Sequence, residues 1–170
     1  MIDFNNYQGK ELKIVQQSFW KNEFQLNDED TVLGSLKSIK IWNDLYLCEI
    51  NDKEFEFYKK SVFSNEIHIK EKLKELPFAK FESNFFFTSG KLRLDRGRNL
   101  LVKIGTFKNN VSINESETKQ LIKLDCKVSL NKKCILKIEN KSEILTENPW
   151  ILLFAFYLIK TSHNSGMVFH

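Results

Sequence analysis

Residues 148–160, Asn148-Pro-Trp-Ile-Leu-Leu-Phe-Ala-Phe-Tyr-Leu-Ile-Lys160, form a run that is apolar on every side. Asn148 suits an N-cap and Pro149 suits the first helical position, so the sequence predicts a helix over 149–161. At about 1.5 Å per residue that helix is roughly 20 Å long. A helix with no polar face must be enclosed by protein or by lipid. About eleven apolar residues fall short of the roughly 20 that a bilayer span needs, so the enclosure expected is protein.

The rest of the chain supplies material for a wall. Phe24 and Leu26 precede the turn residues Asn27-Asp-Glu-Asp30, and Ile39 and Ile41 lead to Asn43-Asp44. Tyr46, Cys48 and Ile50 lead to Asn51-Asp52, and Phe55 and Phe57 follow. Leu92 and Leu94 precede Asp95-Arg96-Gly97, after which come Leu100, Val102 and Ile104. Each is a period-2 run between turn residues, the pattern of an antiparallel strand with one buried face. Many such runs at regular spacing point to a sandwich or a barrel. Ile69, Leu73 and Leu76 instead lie at helical spacing before Pro77, which predicts a short surface helix.

One hairpin can be given a register. A three-residue loop at Asn131-Lys132-Lys133 pairs Leu130 with Cys134, Val128 with Leu136 and Cys126 with Ile138. A two-residue loop would turn one apolar face to water. In this register Cys126 and Cys134 are not partners, and no disulfide is expected between them. Cys48, Cys126 and Cys134 are an odd number inside strand-like runs and read as reduced core thiols of a cytosolic protein. The N-terminal Met1-Ile-Asp-Phe-Asn-Asn shows neither a basic region nor an apolar one, so no signal peptide is expected. The expected location is therefore cytoplasmic, at most peripheral to the inner membrane face, and the sequons at Asn110, Asn114 and Asn140 would go unused.

A chain of 170 residues fits one domain that buries roughly 70% of its unfolded surface. No linker rich in Gly, Pro or Ser divides it, so residues 1–170 are read as a single domain. Side chains alone fill only a narrow closed sheet, and a wider barrel needs a plug. The C-terminal helix is an available plug, and burying its apolar residues would contribute on the order of 15–25 kcal/mol before entropy.

The many short strands, the acidic turn after Phe24-Gln-Leu-Asn-Asp-Glu-Asp30 and the terminal Asn148-Pro-Trp-Ile-Leu-Leu-Phe-Ala-Phe-Tyr-Leu-Ile159 helix resemble the tubby C-terminal-like superfamily. That group includes the LURP-one-related proteins and the phospholipid scramblases. The resemblance spans roughly residues 10–161 and rests on order and hydrophobicity. It implies a closed antiparallel β-barrel of about twelve strands around a hydrophobic C-terminal α-helix. Tubby domains bind phosphoinositide headgroups through basic residues on the barrel wall. Scramblases carry a metal-binding acidic segment beside the terminal helix. This chain has no such segment, since Thr146-Glu147-Asn148 reads as helix-start chemistry, and no family site transfers residue by residue.

Charge is unevenly spread: residues 1–85 carry a net −3 and residues 86–170 a net +7. All three arginines fall within Lys91-Leu-Arg-Leu-Asp-Arg-Gly-Arg98. Arg93 alternates with Leu92 and Leu94 and should point outward, while Arg96 and Arg98 flank a turn. Guanidinium forks bind phosphate bidentately, so Lys91, Arg93, Arg96 and Arg98 are the candidate anion or lipid-headgroup site. The plainer reading is an exposed hairpin tip paired locally with Asp95.

Other chemistry is sparse. His68 should face solvent from a strand, and no His-x-x-x-His or Cys-x-x-Cys spacing suggests a metal. Asp28 and Asp30 resemble the start of a calcium loop, but Val32 and Leu33 occupy a ligand and the glycine position. Gly34-Ser-Leu-Lys37 is a strand start, and Glu115 and Glu117 belong to a solvated turn. No Gly-x-Ser-x-Gly elbow is present. Trp20 and Trp42 could form an exposed recognition surface with neighbouring lysines. Phe85-Phe86-Phe87 is the nearest candidate for single-stranded nucleic acid but lacks interleaved charge; core packing or an edge contact is the expectation. The expectation is a non-enzymatic module with no cofactor and no metal, partnered by anionic lipid headgroups or another protein. A lipocalin-like carrier of an apolar small molecule inside the barrel is the alternative.

Overall fold

The alternating runs become twelve antiparallel strands in a computed structural model, which describes residues 1–18, 20–40, 44–61, 64–105, 107, 109–127 and 133–165. They are β1 Glu11–Ser18, β2 Glu23–Asp28, β3 Thr31–Lys40, β4 Leu45–Ile50, β5 Lys53–Lys59 and β6 Glu66–Glu71. The second half holds β7 Ala79–Ser83, β8 Ser89–Arg93, β9 Asn99–Ile104, β10 Asn110–Asn114, β11 Gln120–Cys126 and β12 Cys134–Ile138. Each strand pairs with its neighbours in sequence, and β12 returns to β1, with Leu12 opposite Leu136 and Ile14 opposite Cys134. The barrel is closed and leaves no free sheet edge.

The period-2 residues point inward, except Ile39, which faces out of β3 and is 48% exposed, because Leu36 sets the inward parity there. Ile41 lies outside the described residues. Leu12, Ile14, Phe24, Leu36, Cys48, Phe57, Phe81, Leu100 and Leu136 are fully buried. What they pack on is the apolar run, now the helix α2, Ile151–Ser165. Every residue from Ile151 to Ile159 is buried, on all faces. Phe156 meets Phe24 edge-on at 4.7 Å, Phe154 meets Phe57 at 5.3 Å and Phe81 at 5.9 Å, and Tyr157 meets Tyr46 at 5.3 Å. Edge-to-face rings add to plain burial. Gly34 on β3 is required by this packing, because a methyl there would lie 3.2 Å from Leu153 Cδ1 and 2.9 Å from the Glu49 carbonyl. Where the helix turns polar, Thr161 and Ser162 donate to its own carbonyls of Tyr157 and Ile159, which satisfies both hydroxyls in the interior.

Three expectations are corrected. Asn148 does not cap the long helix: it ends a separate short one, α1 Glu143–Glu147, which Ser142 caps by accepting from the Ile144 N–H. The Asn148 amide donates to Ile144 O at 3.3 Å and accepts from Trp150 Nε1 at 3.3 Å. Pro149 and Trp150 then turn the chain into the barrel, and α2 starts at Ile151, two residues later than predicted.

The β11–β12 hairpin is also registered differently. Ile122 faces Ile138, Leu124 faces Leu136 and Cys126 faces Cys134, and the two cysteines form a disulfide with Cα atoms 4.1 Å apart. The predicted register differs by four residues. A slip by an even number keeps the same side chains inward, so the hydrophobic pattern cannot tell the two apart. Val128, Leu130 and the loop residues Asn131 and Lys132 lie outside the described residues. Of the three cysteines only Cys48 is a free thiol. Finally, Ile69 sits in β6 opposite Ala79, while Leu73 and Leu76 are 95% and 80% exposed in the β6–β7 connection. A helix this short has no stability of its own and finds no partner there.

The barrel has two distinct ends. At the entry end lie the 3₁₀ turn Phe4–Tyr7, α1 and the connections that run from each even strand to the next odd one. At the far end lie the turns within the six hairpins β1–β2, β3–β4, β5–β6, β7–β8, β9–β10 and β11–β12. Tyr157, two turns into α2, reaches the far end and donates to the Asp44 carbonyl at 2.9 Å.

Candidate functional site

The arginine segment occupies the β8–β9 hairpin connection at the entry end. Arg96 and Gly97 have φ of 53° and 71°, and these consecutive left-handed residues make the turn tight. Arg93 points outward from β8, as predicted, opposite Lys80 and Asn99. It is not a free cation: its Nη2 lies 2.7 Å from Glu82 Oε2, and Lys80 Nζ lies 2.7 Å from Glu82 Oε1. The Lys80 hydrogen bond, reinforced by Arg93, holds the Glu82 carboxyl below its usual range.

Arg98 is tied more firmly still. Its Nη2 meets Asp95 Oδ1 at 2.8 Å and its Nη1 meets Glu147 Oε2 at 2.6 Å. Hydrogen bonds to Asp95 and then Glu147 push its guanidinium pKa up. Arg96, 75% exposed, reaches Glu147 Oε1 at 3.8 Å. The hairpin tip is thereby pinned to the C-terminal end of α1, about fifty residues away in the chain. Lys91 is exposed and outward, across from Glu82 and Leu101, with no carboxylate within 4.0 Å among the described residues. The four candidate residues are therefore brought onto one hairpin, but the three arginines arrive already paired.

A groove of about 640 Å³ opens beside this tip, lined by Asn5, Arg98, Glu115, Lys119, Lys141 and Ser142, among others. Several of its polar groups serve one another. Asn5 accepts from the Ser142 N–H at 2.9 Å, Ser142 Oγ donates to Glu115 at 3.3 Å, and Lys119 pairs with Glu115 at 2.6 Å. A smaller hollow of about 290 Å³ on the wall is lined by Lys40, Leu45, Glu56, Tyr58, Lys59 and Lys70, with Lys70 paired to Glu56 at 3.0 Å.

His68 departs from expectation. It faces outward from β6 yet is only 5% exposed, covered by the Tyr58 ring and bonded through Nε2 to Glu66 at 3.3 Å. No cluster of three or more metal-ligating side chains occurs among the described residues. Asp28 pairs with Lys10 at 3.7 Å. Trp42 lies outside the described residues, while Trp20 is 93% exposed. Phe85 and Phe86 are 80% and 74% exposed, whereas Phe87 is buried against Phe81.

Sequence reasoning missed a polar cluster that closes the far end. Lys59 has the inward parity of Phe55 and Phe57, and its Nζ sits 5.3 Å from the Phe87 ring centre and 3.6 Å from Asp44 Oδ2. Burial, and secondarily the Asp44 carboxylate, push the Tyr46 phenol up to about 12 and raise that of Tyr157 well above its ordinary value. The signal was present: a lysine on the buried parity of a strand must find a partner. No helix among the described residues is long and apolar enough to cross a membrane. Comparison with protein-family models, curated proteins and solved structures finds no match for this chain.

Proposed function

We propose that this chain is a non-enzymatic binding module of the tubby-like type, which recognises anionic phospholipid headgroups with the outside of its barrel. The observation that carries the reading is the filled interior. Residues 151–159 occupy the space a lipocalin-like carrier would keep for its ligand, so a partner has the wall and the two rims to bind. The wall of the C-terminal half is basic. Lys103, Ser112, Lys123 and Lys137 stand in register across β9 to β12, with Lys91 beside them on β8. Lys137 is paired with Glu11 at 2.8 Å and Lys123 with Asp125 at 3.4 Å.

Two features support a non-catalytic reading. Cys48 is fully buried, and burial pushes its thiol well up, away from the thiolate a nucleophile requires. His68 is occupied by Glu66 and covered by Tyr58. On this reading the chain is a peripheral protein at an anionic inner membrane face. The Cys126–Cys134 disulfide withdraws the reduced-thiol argument for a cytoplasmic location.

For the hairpin site, a phosphate would compete with Glu82 for Arg93 and with Glu147 for Arg96, the two more exposed arginines. If the hairpin itself holds the headgroup, replacing Arg93, Arg96 and Arg98 by Gln weakens flotation with phosphoinositide-containing vesicles about tenfold. Unchanged flotation removes the arginine site. Absence of flotation with any anionic vesicle removes lipid recognition and leaves a protein partner.

A further inference from the structure

The far end of the barrel carries a feature that the arginine site does not use. Its hairpin turns present large aromatic side chains to solvent: Trp20 between β1 and β2 at 93% exposure, Phe85 and Phe86 between β7 and β8, and Phe107 between β9 and β10 at 86%. The Phe85 and Phe86 rings contact each other at 5.3 Å, so neither is tucked back onto the wall. Among the described residues, the exposed Phe and Trp side chains lie at this end. At the entry end the aromatics Phe4 and Trp150 are buried. Scattered exposed leucines are ordinary, but bulky aromatics at the tips of three separate hairpins on one rim are not.

Charge follows the same division. Among the described residues of the far-end turns, Lys21, Lys60, Lys127 and Lys133 are exposed, and the single carboxylate, Asp44, is already engaged by Lys59. The entry-end connections lean the other way, with eight carboxylates, Glu29, Asp30, Asp52 and Glu139 among them, against six cations. The barrel therefore has a basic, aromatic end and an acidic one. Its side wall is charged, with Glu49, Glu54, Lys70, Lys80, Lys103 and Lys123 facing out, which suits water and not a hydrocarbon core.

We infer that the far-end rim docks onto the surface of an anionic lipid bilayer, its aromatic tips entering the headgroup region while the lysines pair with lipid charge. The inference rests on the lipid-recognition reading above and gives it a location and an orientation. Shape favours this occupant. Trp20, the Phe85–Phe86 pair and Phe107 project from hairpins placed around a closed ring, and a ring of tips meets a flat surface at several points at once. A nucleic-acid strand or a peptide instead follows a groove or a sheet edge, and this barrel has no edge to offer. Aromatic side chains partition to the membrane interface, and lysines near an anionic leaflet are attracted to it. With the rim down, α2 stands within the barrel with its C-terminal end toward the bilayer, and the arginine hairpin faces away from it.

The test uses the full chain and phosphatidylcholine vesicles with and without phosphatidylserine, read by flotation, with thermal melting to confirm folding. The wild type should float only with phosphatidylserine present and should be released by salt. Lys21, Lys60, Lys127 and Lys133 changed to Gln should weaken binding roughly fivefold for each lysine removed. Trp20→Ser with Phe85→Ser and Phe86→Ser should abolish flotation, and Phe85→Ser with Phe86→Ser alone should weaken it while leaving melting unchanged, since those two rings are 80% and 74% exposed. Lipids brominated near the headgroup should quench fluorescence in the wild type more than in Trp20→Phe. The Arg93, Arg96 and Arg98 glutamine variant distinguishes the two readings. If it loses flotation while the rim variants keep it, the rim is not the docking surface but lipid recognition stands. If the wild type floats with no vesicle, both fail, and an RNA or a protein retained by the rim would then identify a different occupant.

Discussion

Tyr157 joins the central helix to the far end of the barrel through one hydrogen bond, to the Asp44 carbonyl. Tyr157→Phe removes the donor, so urea denaturation should show a loss of about 1 kcal/mol. The same neighbourhood makes stability fall in alkali. The folded state raises the Tyr46 phenol to about 12 and that of Tyr157 well above its ordinary value near 10. Folding thus favours the protonated phenols. The Tyr46 contribution is complete below pH about 10 and is lost as pH rises through about 12. Melting temperature should fall over that interval, and Tyr46→Phe should flatten the fall; a melting temperature indifferent to pH there would contradict this origin. At this scale the candidate site was partly legible. The alternation of Leu92, Arg93 and Leu94 gave the outward direction of Arg93 correctly. It could not give Glu82 or Glu147 as partners, because those carboxylates arrive by strand pairing and by the return of α1, neither of which leaves a local trace.

Between elements, even-numbered register shifts are the ambiguity that hydrophobic alternation leaves open. The inward parity of Leu124, Cys134, Leu136 and Ile138 was read correctly, but the pairing was not, and with it went the disulfide. The turn chemistry that would have fixed the register is weak in Lys127-Val-Ser-Leu-Asn-Lys-Lys133, which holds no glycine or proline. Cys126→Ser should cost roughly 2–3 kcal/mol, the value for closing a loop of this size, and a reductant should lower the wild-type melting temperature but not that of the variant. Equal melting of the two proteins under oxidising conditions would show that the bond contributes nothing. The helix boundary failed for a different reason. Asn148 and Pro149 are capping residues by type, but Ser142 supplies a better cap upstream, and Asn148 is used to end the helix that Ser142 begins.

For the whole molecule, the decisive inference was available from sequence: an all-apolar helix too short for a bilayer, in a chain otherwise made of half-buried strands, implies a wall built around a plug. Closure of the sheet and enclosure of α2 follow that logic. The polarity between an acidic entry end and a basic aromatic far end was not legible, because it depends on which turns share an end, and that is known only once the strands are ordered. Enclosure of α2 also carries the functional account, since it assigns recognition to the outside of the barrel. Amide hydrogen exchange of α2 tests it most directly. Exchange of the amides of residues 154–161 should be as slow as that of the strand centres and should require global unfolding. Exchange of those amides orders of magnitude faster than the strands, with the strands still protected, would mean that the helix leaves the barrel, and a lumen ligand would again have room.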